Sequence, residues 1–211
     1  MADSRETIVL VHGLWMRGPV FFLHQRWLAD KGYAVCQFSY PSVSGGLRQN
    51  AEALSRFIAA TGGDNIHLVG HSLGGLVALD MLAHHPDPRL RRAVLMGSPC
   101  AGCHAASVVA DVPLLDAVIG RSLNDWLALP RATLPDSVEI GVLAGDFSLG
   151  LGRLVPGLPQ PNDGVVAVAE TRLPEAGDSI VLHVSHAGML ASRACAEQAA
   201  AFLLNGKFMH E

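Results

Sequence analysis

Charge is scarce in this sequence. Only 16% of its 211 residues are charged, 15 basic against 19 acidic, for a formal net charge of -4. No basic run is long enough to neutralise a row of phosphates, which argues against a nucleic-acid partner. The nearest cluster, Arg89, Arg91 and Arg92, reads as a solvated connection ahead of a strand. Cysteine is scarce too: Cys36, Cys100, Cys103 and Cys195 are too few for a disulfide-built scaffold. Cys100-Ala101-Gly102-Cys103 has the spacing of a redox pair, yet no second pair or histidine completes a zinc set. These thiols read as small buried fillers, and no metal or cofactor is expected. Long apolar runs are missing, so a transmembrane segment is not expected. Met1 to Thr7 lacks the basic-then-apolar pattern of a secretion signal, and a cytoplasmic location is the expectation. Sequence repeats and a long coiled segment are missing as well, which weakens a purely structural role.

What is present is a core: 50% of the residues are hydrophobic. The length suits one compact domain, 1–211. Short apolar runs read as strands at Ile8–Val11, Tyr33–Phe38, Ile66–Val69, Ala93–Met96, Ile140–Leu143 and Ile180–Val184. Between them, Phe21–Ala29, Leu47–Ala60, Leu76–His84 and Ala191–Leu204 carry the apolar stripe of core-facing helices, with Gly206 as the last helix's cap. Strands separated by helix-length crossovers predict an α/β fold, a mainly parallel sheet of six or seven strands covered on both faces. Its chemistry belongs in the loops beyond the carboxyl ends of the strands. One stretch, 99–135, breaks the rhythm and reads either as a small cap within the domain or as an ordinary long crossover.

Gly70-His71-Ser72-Leu73-Gly74-Gly75 follows the third strand directly and leads into a helix. A tight strand-to-helix turn of this kind puts the serine in a strained backbone position that lifts its hydroxyl clear of the sheet edge. Gly70 and Gly74 remove side chains that would collide across that turn. Ser72 is therefore the candidate nucleophile. Ester hydrolysis also needs donors for the developing oxyanion. One is the amide of Leu73; the second is assigned to Leu14 in His12-Gly13-Leu14-Trp15, with Trp15 as the fallback.

A serine hydroxyl needs a histidine to take its proton. Among ten histidines, His186 stands in the loop after the last strand and is the candidate base. His183 is placed within that strand, and His12 is expected to brace its own loop. The orienting acid falls between nucleophile and histidine in this chain order. Asp146, directly after the fifth strand, and Asp163, in the Asn162-Asp163-Gly164 turn, rank equally on the residues alone. Glu170 is suited to bracing the Asp163 loop.

These motifs resemble the α/β-hydrolase superfamily, and within it small PGAP1-like esterases and lipases and the bacterial true-lipase group. His12-Gly13 is similar to the oxyanion-loop motif, Gly70–Gly75 to the lipase elbow G-H-S-L-G-G, and Gly97-Ser98-Pro99 with Gly102 to a G-S-P-x-x-G-S stretch, Cys103 replacing its serine. The resemblance places the acid in an N-D-G-x-V turn, which favours Asp163 over Asp146, and the base at His186. It implies a serine carboxylic-ester hydrolase, esterase- or lipase-like, acting through an acyl-enzyme on a small-molecule ester or lipid. Trp15, Met16, Leu114, Leu115 and Met189 are candidates for the acyl pocket. A thioesterase, a lipid deacylase or an amidase with the same triad stays open, as does a non-catalytic binding protein that kept the fold.

Overall fold

The structure, a computed structural model, describes residues 6–110, 120–130, 133–150 and 157–210. Six strands run β1 Thr7–Val11, β2 Ala34–Phe38, β3 Ile66–His71, β4 Leu90–Met96, β5 Glu139–Gly145 and β6 Asp178–Leu182. They form one sheet in the order β2-β1-β3-β4-β5-β6, every pair parallel. The helices are α1 Phe22–Ala29, α2 Leu47–Ala60, α3 Leu73–His84, α4 His104–Ala110, α5 Arg121–Ala128 and α6 Arg193–Asn205.

Side chains alternate across a strand, and β1 shows the consequence. Val9 and Val11 pack with Leu47, Leu54 and Leu76 of α2 and α3, whereas Ile8 and Leu10 pack with Leu28 of α1 and Phe202 of α6. The sheet is thus buried on both faces, which is why its central strands read as unbroken apolar runs. Because all strands point the same way, the loops after β1, β3, β4, β5 and β6 share one edge.

Several boundaries differ from expectation for physical reasons. Helix α3 starts at Leu73, ahead of the expected Leu76, because Gly74 and Gly75 serve close approach and do not break the helix. A Cβ on Gly74 would lie 2.1 Å from the Val11 carbonyl oxygen, and one on Gly75 would lie 2.0 Å from Ser98 Oγ. Strand β4 starts at Leu90, its polar opening masked in the sequence by Arg91 and Arg92; Arg92 bonds Glu139 at 2.9 Å and the Leu203 carbonyl at 2.8 Å. Strand β6 ends at Leu182, so His183 stands just outside the strand in which it was expected. The last helix ends as expected: Gly206 adopts φ 71° and its N–H donates to the Phe202 carbonyl at 2.7 Å.

Helix α5 is tied down by buried polar groups. Asp125 accepts the Leu47 amide at the start of α2 at 2.9 Å. Asn50 donates to Ser122 Oγ at 2.8 Å, and Ser122 donates to the Gly45 carbonyl at 2.9 Å. The Arg121 amide donates to the Val43 carbonyl at 3.0 Å.

The four cysteines are free thiols, and burial pushes the Cys103 thiol up to about 11. Among the described residues no helix is long and apolar enough to cross a membrane, and no group of three or more His, Cys, Asp or Glu side chains is placed to hold a metal ion.

Candidate active site

Ser72 joins β3 to α3 with φ 55° and ψ -124°, in the left-handed half of backbone space where a non-glycine residue is strained. Its amide donates to the Met96 carbonyl at the end of β4 at 2.8 Å, which pins the turn to the neighbouring strand. The turn closes only because its flanks lack side chains: a Cβ on Gly70 would lie 2.6 Å from the Gly75 backbone. Ser72 is half-buried, at the first turn of α3, where unpaired amides favour negative charge.

His186 and Asp163 meet on the same edge. Nδ1 of His186 donates to Asp163 Oδ2 at 2.7 Å, and the two main chains are joined by His186 N–H to the Asp163 carbonyl at 2.8 Å. The other carboxylate oxygen of Asp163 accepts the amides of Val165 and Val166 at 2.9 and 2.7 Å. Both side chains are buried, Asp163 to 1% exposure. Asn162 and Gly164 explain the turn that delivers the carboxylate. The Asn162 side chain accepts the Gly164 amide at 2.9 Å, while Gly164 takes φ 94°, its missing Cβ leaving room for the Leu149 carbonyl. Glu170 braces this loop by accepting the Ala167 amide at 2.8 Å and the His104 amide. Gly97, at the end of β4, backs onto the pair: a Cβ there would lie 3.1 Å from Asp163 Oδ2 and from His186 Nδ1. Since Ser72 is bonded to Met96, Ser72 and the His186–Asp163 pair flank the end of one strand.

The loop expected to supply the second oxyanion donor follows β1. His12 stacks on Tyr40 with centroids 4.5 Å apart, donates from Nδ1 to the Gly13 carbonyl at 2.9 Å, and accepts the Tyr40 amide at 3.4 Å. Burial lowers its pKa, in keeping with a neutral brace. Gly13 lets this loop reach the elbow; a Cβ there would lie 3.1 Å from Ser72 Cβ. Trp15 has φ 59°, and its amide donates to Ser42 Oγ at 3.1 Å. The Leu14 amide has no such partner among the described residues. Of the two alternatives in this loop, Leu14 is the uncommitted donor.

The remaining candidates are spread more widely. The alternative acid and base pair with each other: Asp146 Oδ1 meets His183 Nδ1 at 2.9 Å, with the His183 side chain 78% exposed. Trp15 is exposed and Met16 half-buried; Met189 is fully buried in the α1–α6 core, its sulfur close behind Gly97. Leu114 and Leu115 lie outside the described residues. Three polar residues that sequence reasoning passed over also meet here. His71 donates to the His186 carbonyl at 2.9 Å, His24 donates to the Met189 carbonyl at 2.8 Å, and Ser42 holds Trp15. The sequence signalled His71 only through its match to the histidine of the G-H-S-L-G-G elbow, which carries no role for its side chain.

Comparison with known proteins agrees with this fold. The profile of the alpha/beta hydrolase fold family matches residues 6–126. The pimeloyl-(acyl-carrier protein) methyl ester esterase of Aromatoleum aromaticum is 32% identical over 150 residues; the match covers 66% of this chain and 57% of that relative's length. Among solved structures, the mature lipase of Bacillus licheniformis superposes with a TM-score of 0.79 at 20% identity, covering 96% of this chain and 92% of the lipase. A metagenomic carboxyl esterase superposes with a TM-score of 0.71 at 21% identity, covering 88% and 66% of the two chains.

Proposed function

The chain belongs to the alpha/beta hydrolase fold family, and on that footing we propose that it is a serine hydrolase of carboxylic esters, with Ser72 as nucleophile, His186 as base and Asp163 as the acid that orients it. One observation carries the reading: a serine held at φ 55° on the strand-to-helix elbow shares its sheet edge with a buried histidine–carboxylate pair. With Nδ1 committed to Asp163, the other nitrogen of His186 is the unprotonated one, as a base requires. It takes the Ser72 proton as Oγ attacks the ester carbonyl. The amides of Leu14 and Leu73 receive the charge that grows on the carbonyl oxygen. The protonated imidazole then gives its proton to the departing alcohol, and water repeats the cycle on the acyl-enzyme.

Trp15, exposed in the proposed oxyanion loop, is read as an acyl contact, and half-buried Met16 as a second candidate. Met189, fully buried with its sulfur close behind Gly97, is read as packing rather than as an acyl contact. The cap expected in stretch 99–135 lies partly outside the described residues; of the described part, α5 is read as belonging to it within a single domain. The curated relative is a methyl ester esterase, so a pimelate methyl ester belongs beside p-nitrophenyl esters of graded chain length in the substrate panel, with thioesters as the rival class.

The test is labelling with a fluorophosphonate alongside ester turnover. The native protein is expected to label and turn over, and Ser72→Ala to lose both. Turnover persisting in purified Ser72→Ala rejects the nucleophile. A folded native protein inert to the phosphonate favours a binding protein on the same fold.

A further inference from the structure

His186 has four polar groups, and three are committed. Its amide donates to the Asp163 carbonyl at 2.8 Å, its ring Nδ1 to Asp163 Oδ2 at 2.7 Å, and its own carbonyl accepts from Nε2 of His71 at 2.9 Å. Only Nε2 of His186 is left uncommitted among the described residues. Two of the three restraints come from the acid. The third comes from the residue bonded directly to the nucleophile.

His71 closes β3 and is fully buried. Its ring lies against that of His186, with centroids 4.7 Å apart and planes inclined by 48°. A carbonyl oxygen only accepts, so the proton of His71 sits on Nε2 and Nδ1 is a bare lone pair. That Nδ1 is buried without a hydrogen-bond partner, facing Gly13, where a Cβ would stand 3.2 Å from it. Leaving such an atom unpaired costs free energy, which the fold tolerates here. Burial first, and the neighbouring His186 second, hold the pKa of His71 well below its ordinary value. The ring is therefore a neutral donor. A lysine or arginine in its place would put a fixed cation beside the imidazole that must itself become positive during the reaction.

We propose that His71 is a positioning residue for the base: its Nε2–H clamps the main-chain carbonyl of His186, so that base and nucleophile are carried by one rigid connection from the end of β3. The proposal rests on the assignment of Ser72 and His186 above. It explains why a histidine precedes the serine where a strand buried on both faces otherwise calls for an apolar side chain.

Two readouts keep the proposal separate from that assignment. His71→Leu removes the donor while keeping an apolar side chain; His71→Gln keeps an N–H in reach of the same carbonyl. In ester turnover, His71→Leu is expected to lower kcat by about 10- to 100-fold with KM within about twofold, since small misplacements of a reacting group cost that much. His71→Gln is expected to recover most of the loss. In amide hydrogen exchange, His71→Leu is expected to lower protection at His186, and His71→Gln to restore it, whether or not the protein is active. Native kcat and native His186 protection in a folded His71→Leu variant overturn the proposal. A native protein inert towards esters and phosphonate overturns the assignment of function instead, and exchange still decides whether His71 holds His186. Should His71→Leu fail to fold, His71→Gln decides alone: a loss of both kcat and protection despite the retained donor overturns the clamp.

Discussion

His186 and Asp163 are joined in a setting from which water is largely excluded, whereas His183 and Asp146 make a slightly longer bond at the surface. The difference favours the buried pair for the proposed chemistry. A carboxylate that also accepts two main-chain amides cannot swing away from the imidazole it orients, while an exposed pair is screened and easily replaced by water. Asp163→Asn is expected to lower kcat by about 10³- to 10⁴-fold, because the amide favours the wrong imidazole tautomer. Asp146→Asn is expected to leave kcat within about twofold, as for an exposed ion pair. Parallel kinetics on one ester decide the point; the reverse order would move the acid to Asp146. On the residues alone these two aspartates were equivalent, since both follow β5 and precede the histidine. Their burial and partners are tertiary properties that no local pattern records. The N-D-G turn was legible because Gly164 must adopt φ 94°. His71 was not, because its value lies in a carbonyl 115 positions away.

At the level of elements, period and spacing located all six strands and the helices α1, α2, α3 and α6, and Leu47–Ala60 appears with the limits the apolar stripe predicts. The misjudged edges fall where a residue serves a contact rather than a propensity. Gly74 and Gly75 weaken a helix in isolation yet open α3, and two arginines disguise the start of β4. The placement of α5 was not legible at all, because it depends on side chains far apart in the chain. Ser122 and Asn50 are both buried and bonded to each other. Ser122→Ala strips a partner from Asn50 and from the Gly45 carbonyl, and is expected to cost about 1–3 kcal/mol for the groups left unpaired. The midpoint of urea unfolding measures it. An unchanged midpoint would mean that the two bonds of Ser122 contribute nothing to the stability of the fold.

Across the whole molecule, histidine burial sets the response to acid. His12, His24, His67 and His71 are all buried, and in each case desolvation is the largest cause of a lowered pKa. A folded-state pKa below the unfolded value of 6.5 means that the unfolded chain binds the proton first. Their stabilising effect is therefore complete above pH 6.5 and is lost progressively below it. Each such histidine contributes a slope of up to about 1.4 kcal/mol per pH unit within its window. Thermal unfolding at pH 7.5 and 5.5 is expected to show a clear fall in Tm on acidification. A flat profile would mean that these rings take up protons in the folded state as readily as in the unfolded one.

The 41–47 segment reaches in two directions. Ser42 grips the Trp15 amide, Val43, Gly45 and Leu47 are bonded to α5, and the start of α5 at Gly120 abuts the Leu14 side chain. Helix α5 and the loop that carries the proposed oxyanion donor therefore share a single mooring. On the proposed reading, a bulky ester that presses on α5 would tug that donor out of true while still finding room to bind. Discrimination against oversized esters would then register as slow chemistry in a filled pocket rather than as poor occupancy.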